Sequence, residues 1–140
     1  MKDQAMNKLY LGDNLQVLRS CIADKSVSLT YLDPPFASNA DYDFVSTDIG
    51  RPSVRVKAFV DTWEWNDEAV QTLRDIHARH PGLSSLLSVV TQGLRFNGLA
   101  AYLVMMGVRL LELKRVLKPD GSLYLHCDAS ASSYLKVMLD

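Results

Sequence analysis

The sequence predicts an α/β domain built on a parallel sheet, and three stretches carry that prediction. Residues 26 to 32, Ser-Val-Ser-Leu-Thr-Tyr-Leu, are rich in β-branched, aliphatic and aromatic side chains and read as a buried strand. From about Gly98 to Leu117, Leu99, Leu103, Met106, Leu110, Leu113 and Leu117 recur at three- and four-residue spacing, the pattern of a helix with one face on a core. Pro119-Asp120-Gly121 then turns the chain into Ser122 to Cys127, a second buried strand. Helix, turn and strand in that order imply parallel strands joined by right-handed crossovers.

Composition narrows the class. A chain of 140 residues is one domain or part of one. With 48% hydrophobic and 22% charged residues it has the means to pack a core and is not a disordered chain. Gly107, Arg109 and Glu112 interrupt the longest apolar stretches, so no span of roughly 20 apolar residues exists. The N-terminus, Met-Lys-Asp-Gln-Ala-Met-Asn-Lys, lacks the apolar centre of a signal peptide. Cys21 and Cys127 in such a chain read as reduced thiols, and the expected location is the cytoplasm. The formal net charge of −1 argues against wrapping a polyanion with the whole surface, because tight DNA binding neutralises several phosphates. Any grip on a duplex must come from a local patch or from outside these residues.

In chain order, Lys8 to Leu11 reads as a short strand ending at Gly12-Asp13-Asn14. Asn14 can cap a helix of about ten residues in which Leu15, Leu18 and Ile22 share a face. Asp24-Lys25 turns into the strand at 26–32, which stops at Asp33-Pro34-Pro35-Phe36, since two prolines have no N–H for a ladder. Residues 37 to 62 form the least regular stretch, a connection of a length that is usually functional or mobile. It carries Arg51, Arg55 and Lys57, a basic cluster read as touching DNA phosphate, with a solvated surface loop as the bland alternative. Trp63 and Trp65 could stack on bases but more readily fill core. Asn66 caps a helix running through Ile76, and Leu83 to Phe96 gives another. His77 and His80 show no metal-ligand spacing with the cysteines, so no zinc site is expected. Ser130 to Leu139 begins a last helix, and His126 and Asp128 stand at the end of the second strand, beside the crevice where α/β sheets bind ligands.

The strand end at Asp33 suits one demanding reaction, methylation of an exocyclic amine on a nucleobase. Such a nitrogen is a poor nucleophile because its lone pair is delocalised into the ring. Acceptors on its two hydrogens, the Asp33 carboxylate and the Pro34 carbonyl, favour a tetrahedral nitrogen with a localised lone pair. Proline fixes φ near −65° and with it the carbonyl's direction. Phe36 offers a face for a base flipped out of the duplex. The alternative is a strand-ending turn in which Asp33 caps local N–H groups and Phe36 packs in the core.

Leu32-Asp-Pro-Pro-Phe36 resembles the catalytic motif of the amino-methylating DNA methyltransferases, in its adenine-type form. Leu9 to Leu18, Phe59 to Trp65, Ala101 to Met106 and Arg109 to Asp128 resemble segments of the same family in the same order. The resemblance implies a Rossmann-like fold and S-adenosylmethionine as methyl donor. It implies Asp33, Pro34, Pro35 and Phe36 as catalytic residues, with Asp13 and Asp33 near the cofactor; the bland alternative for Asp13 is that it only helps start the helix. Double-stranded DNA is the implied partner, with a restriction endonuclease and a second copy of the chain as further candidates. It also implies a permuted order with the catalytic motif first, so that residues 1–140 correspond to the N-terminal catalytic part. The Gly-rich turn that lets backbone approach the cofactor is absent: Gly107 is mid-helix, and Gly12 and Gly121 stand alone.

Three readings stand at this level. The first is the catalytic part of a DNA methyltransferase forming N6-methyladenine, with N4-methylcytosine as the variant. The second is a non-catalytic remnant or DNA-binding partner subunit. The third, an unrelated hydrolase-like or metal-dependent domain using Asp33, lacks a partnering cluster and ranks last.

Overall fold

The computed structural model describes residues 7–36, 41–46 and 54–140, with the backbone alone across 41–46 and 54–60. Its elements run α1 (Asn14–Cys21), β1 (Val27–Leu32), β2 (Asp41–Ser46), β3 (Val54–Val60), α2 (Asp67–Arg79), α3 (Pro81–Gly93), α4 (Gly98–Val116), β4 (Leu117–Leu125) and α5 (Ala129–Leu139). This is a mixed α/β architecture whose central pair, β1 and β4, is parallel, as the helix–strand order predicts.

Local chemistry places the helices. Asn66 Oδ1 accepts from the Ala69 N–H at 3.0 Å and Asn97 Oδ1 from the Ala100 N–H at 3.0 Å, starting α2 and α4. Asp128 Oδ1 does the same for α5 with Ala131 N–H at 3.2 Å. Proline opens α3 at Pro81, where its missing N–H costs nothing. α1 is capped by Asp13, one residue before the expected Asn14, with Oδ1 accepting from Gln16 N–H at 3.2 Å. Asn14 is instead the first helical residue, and its side chain is taken by Arg109.

α4 organises the core. Ala100 to Val104, Met106 to Val108, Leu110, Leu113 and Val116 are all buried, so the helix is enclosed nearly all round. α1, α2, α3 and α5 pack against it. Trp63 and Trp65 fill core margins: Trp63 meets Tyr102 nearly edge-on at 5.6 Å and Trp65 meets Phe96 at 5.0 Å. Arg115 ties α4 to the start of the sheet, donating to the Leu18 carbonyl at 2.7 Å and the Ile22 carbonyl at 3.2 Å and pairing with Asp24. Val27 then enters β1 with the backbone of Lys25 and Ser26 bonded to the Arg115 and Val116 carbonyls.

A glycine is required where α4 begins. A Cβ on Gly98 would stand 2.4 Å from the Trp63 carbonyl oxygen, which is backbone and cannot rotate away. Gly98→Ala is therefore expected to cost about 1–3 kcal/mol through overpacking, read as a lower urea midpoint with an unchanged slope.

Four further sequence expectations are corrected. Lys8 to Leu11 forms no strand, and Leu9 and Leu11 project into solvent, since no neighbouring described strand pairs with them. The stretch read as irregular contains the antiparallel hairpin of β2 and β3, with Phe44 opposite Val56 and Tyr42 opposite Phe59. Its valines and aromatics have the β preference that the intervening Asp and Ser residues obscured. Pro119-Asp120-Gly121 is no separate turn but a bulge inside β4. Val27 aligns with Leu117 and Leu29 with Ser122, so β4 advances five residues while β1 advances two. Finally, the strands are not buried on both faces. Leu32, Leu123 and Leu125 pack on the core, whereas Leu29, Tyr31 and Tyr124 are exposed on the other face. Parallel strands become fully buried only when helices cover both faces, and the described helices cover one.

Candidate active site at the β1–β4 strand ends

The last rung of the parallel ladder is the His126 N–H donating to the Leu32 carbonyl at 2.9 Å. One residue later on β1 comes Asp33, and there the two prolines end the pairing. The ladder therefore fixes two side chains next to each other, Asp33 and His126, at the carboxyl ends of neighbouring parallel strands. His126 Nδ1 lies 3.1 Å from Asp33 Oδ1. Phe36 meets the imidazole with ring centroids 4.8 Å apart at 78°, an edge-to-face contact. Asp33, Phe36 and His126 thus form one cluster, flanked by the half-buried Pro34 and Pro35.

The cluster is open. The side chains of Asp33 and His126 are 61% and 58% exposed, so the carboxylate is available to an incoming donor. Among the described residues, Oδ1 is hydrogen-bonded to His126 and no bond to Oδ2 is present. Phe36 is half-buried and does not belong to the side chains packed on the core. Chemically this is a hydrogen-bond acceptor with an aromatic wall, held at a fixed point by backbone.

Asp13 stands elsewhere. Arg109 donates from NH2 to Asp13 Oδ2 at 2.6 Å, from Nε to Asn14 Oδ1 at 2.9 Å and from NH1 to the Met105 carbonyl at 3.2 Å. Asp13, Met105 and Arg109 border a cleft of about 620 Å³, whose walls include Trp63, Glu64 and Glu68 but not Asp33. Asp13 still exposes 48% of its side chain. Tyr102 is a buried side chain behind Trp63, and its hydroxyl makes no hydrogen bond among the described residues. Burial, then the negative charge of Cys127, Asp128 and Asp61, pushes that hydroxyl far above the usual tyrosine range.

Of the basic cluster, Arg51 lies outside the described residues. Arg55 and Lys57 sit two apart on β3, paired with Val45 and Asp43 in the backbone register. Asp128, at the end of the second strand, caps α5. Arg109 is the residue that sequence reading passed over, because its partners lie 95 and 96 residues away. Among the described residues no group of three or more His, Cys, Asp and Glu could hold a metal ion, and no helix is long and apolar enough to cross a membrane.

No protein-family model matches the chain, and no solved structure matches it. A curated relative does: the Mod subunit of the type III restriction-modification enzyme StyLTI from Salmonella typhimurium (strain LT2), 30% identical over 137 residues. The match covers 96% of this chain but 18% of the relative, so the chain spans less than a fifth of that protein's length. The chain is a distant homologue of one segment of a restriction-modification Mod subunit.

Proposed function

We propose that this chain supplies the base-accepting part of an S-adenosylmethionine-dependent DNA methyltransferase that acts on the exocyclic N6 amine of adenine. The observation that carries the reading is the open Asp33 carboxylate at the carboxyl end of a parallel strand, followed at once by Pro34, Pro35 and Phe36. Similarity to a Mod subunit supports it. In this reading Asp33 and the Pro34 carbonyl accept the two amine hydrogens, and Phe36 stacks on the flipped adenine. Asp33 in the first motif position favours adenine, since the resembling cytosine-type enzymes carry Ser there. Arg55 and Lys57 on β3, with Arg51 before them, contact phosphate of double-stranded DNA. The remainder of the protein supplies target recognition, and a restriction subunit and a second copy of the chain are the partners this reading admits.

The described residues do not by themselves fit the methyl donor. No Gly-rich turn follows a strand, Arg109 already holds Asp13, and the cleft beside Asp13 is not lined by Asp33. Asp13 keeps about half of its side chain exposed and is proposed as one contact on the cofactor side, completed by residues beyond these 140. When bound, the cofactor supplies an electrophilic methyl group; this chain orients the amine that receives it. Isothermal calorimetry is accordingly expected to show weak or no S-adenosylmethionine binding by the 140-residue chain, and micromolar affinity would contradict this division of labour.

The test of the function is transfer of tritiated methyl groups to DNA by the whole protein carrying this segment, followed by nucleoside analysis. N6-methyladenine is the expected product. N4-methylcytosine as sole product would overturn the base assignment, and no transfer would favour a DNA-binding subunit without turnover.

Phe36 permits a separate check. Phe36→Ala is expected to leave the melting temperature nearly unchanged, because the ring lies outside the core, while target-base binding falls by roughly 1–3 kcal/mol. Phe36→Tyr is expected to bind normally. A large fall in melting temperature with unchanged fluorescence of a reporter base at the target would remove the stacking role.

A further inference from the structure

His126 belongs to no motif singled out for the chemistry, yet it touches two residues of the motif at once. Its backbone N–H closes the last rung to Leu32, which fixes where its side chain starts. Its Nδ1 reaches Asp33 Oδ1 at 3.1 Å, and its ring lies nearly perpendicular to Phe36. An exposed carboxylate on a strand end would otherwise rotate about its side-chain torsions. A single donor placed on one oxygen removes that freedom and leaves the other oxygen facing solvent.

We propose that His126 is a positioning residue: its Nδ1–H donates to Asp33 Oδ1 and thereby presents Oδ2 to the amine hydrogen. The inference rests on the methyltransferase reading for what Oδ2 receives, but the pair itself does not. The donation requires the neutral ring to carry its proton on Nδ1, with Nε2 left as an acceptor. A neutral donor orients the carboxylate while leaving its negative charge available to the amine. Phe36 also contacts the ring, so the imidazole ties the stacking wall to the acceptor. Misplacement of a reacting group by about 1 Å can cost on the order of a hundredfold in rate, which sets the scale of the effect.

Long-range ¹H–¹⁵N spectra of the 140-residue chain, at a pH where the imidazole is neutral, test the pair directly. The expected result is the Nδ1–H form of His126, returning to the Nε2–H form in Asp33→Ala. An Nε2–H ring in the unaltered chain, insensitive to Asp33→Ala, overturns the proposal. In the whole protein, His126→Ala is expected to lower kcat roughly ten- to hundredfold with little change in KM for DNA. His126→Asn, whose side-chain N–H replaces Nδ1–H, is expected to restore most of the rate. His126→Phe keeps the contact with Phe36 but not the donor, and is expected to be as slow as His126→Ala; a Phe variant equal to the unaltered protein overturns the role. Absence of any methyl transfer by the unaltered protein would sink the proposed function, while the tautomer measurement would still decide the pair.

Discussion

Asp33→Ala is expected to lower methyl transfer by the whole protein about 10²- to 10³-fold, equivalent to roughly 3–4 kcal/mol of transition-state stabilisation. The magnitude is that of removing one preorganised group aimed at developing charge. In the proposed function the group would meet the nitrogen as its lone pair localises. The loss should fall on kcat, because the contact strengthens in the transition state rather than in the bound ground state. Asp33 is largely exposed and its described hydrogen bond is the single one to His126, so the variant should melt close to the unaltered protein. That combination, slow and stable, is what distinguishes a catalytic carboxylate from a turn-capping one. A variant within tenfold of normal activity would remove Asp33 from the chemistry.

Leu87→Ala is expected to cost about 2–5 kcal/mol of stability. Leu87 is fully buried and lies against Gly107, the point where α3 approaches α4. A Cβ on Gly107 would stand 3.1 Å from Leu87 Cδ1, 3.3 Å from Met138 Cε and 3.7 Å from Ile76 Cδ1. Three helices therefore converge on this glycine, and the leucine fills the gap that it leaves. Gly107→Ala alone should crowd that junction. Combined with Leu87→Ala it should crowd it less, so the double variant is expected to be more stable than the sum of the single effects predicts. Urea denaturation of the four proteins measures the coupling. Strict additivity would show that the two positions do not share the space.

What was legible in the sequence was whatever a local pattern encodes. The apolar spacing from Leu99 to Leu113 located α4 but predicted one buried face where the helix is enclosed nearly all round, and Asn66 marked the start of α2. Asp33 was marked because two prolines after a β-rich run have few structural uses. The hairpin of β2 and β3 was missed because its strands mix valine and phenylalanine with Asp41, Asp43 and Ser46, which blurs the two-residue alternation. The exposed face of β1 was missed because strand composition does not reveal how many helical layers cover a sheet. Asp13 rather than Asn14 caps α1, since either side chain can accept from the first turn, and Arg109 from α4 holds both. His126 could be placed near the crevice by its position at a strand end, but its bond to Asp33 joins residues 93 apart, a separation that no local pattern reports.

That separation also bears on the order in which the molecule comes together. Residues 33 to 116, including the β2–β3 hairpin and helices α2, α3 and α4, lie between the two strands whose ends carry the cluster. Closing a loop of this length exacts its entropy before the parallel pairing can return anything, whereas the contacts of α2 with α3 and of α3 with α4 join neighbours in sequence. Helical association should therefore precede the sheet during refolding. The register between Leu32 and Leu125 arrives late, and with it the meeting of carboxylate and imidazole. A half-folded chain would hold its hydrophobic core without the Asp33–His126 cluster, so the proposed chemistry would be confined to molecules that have finished folding.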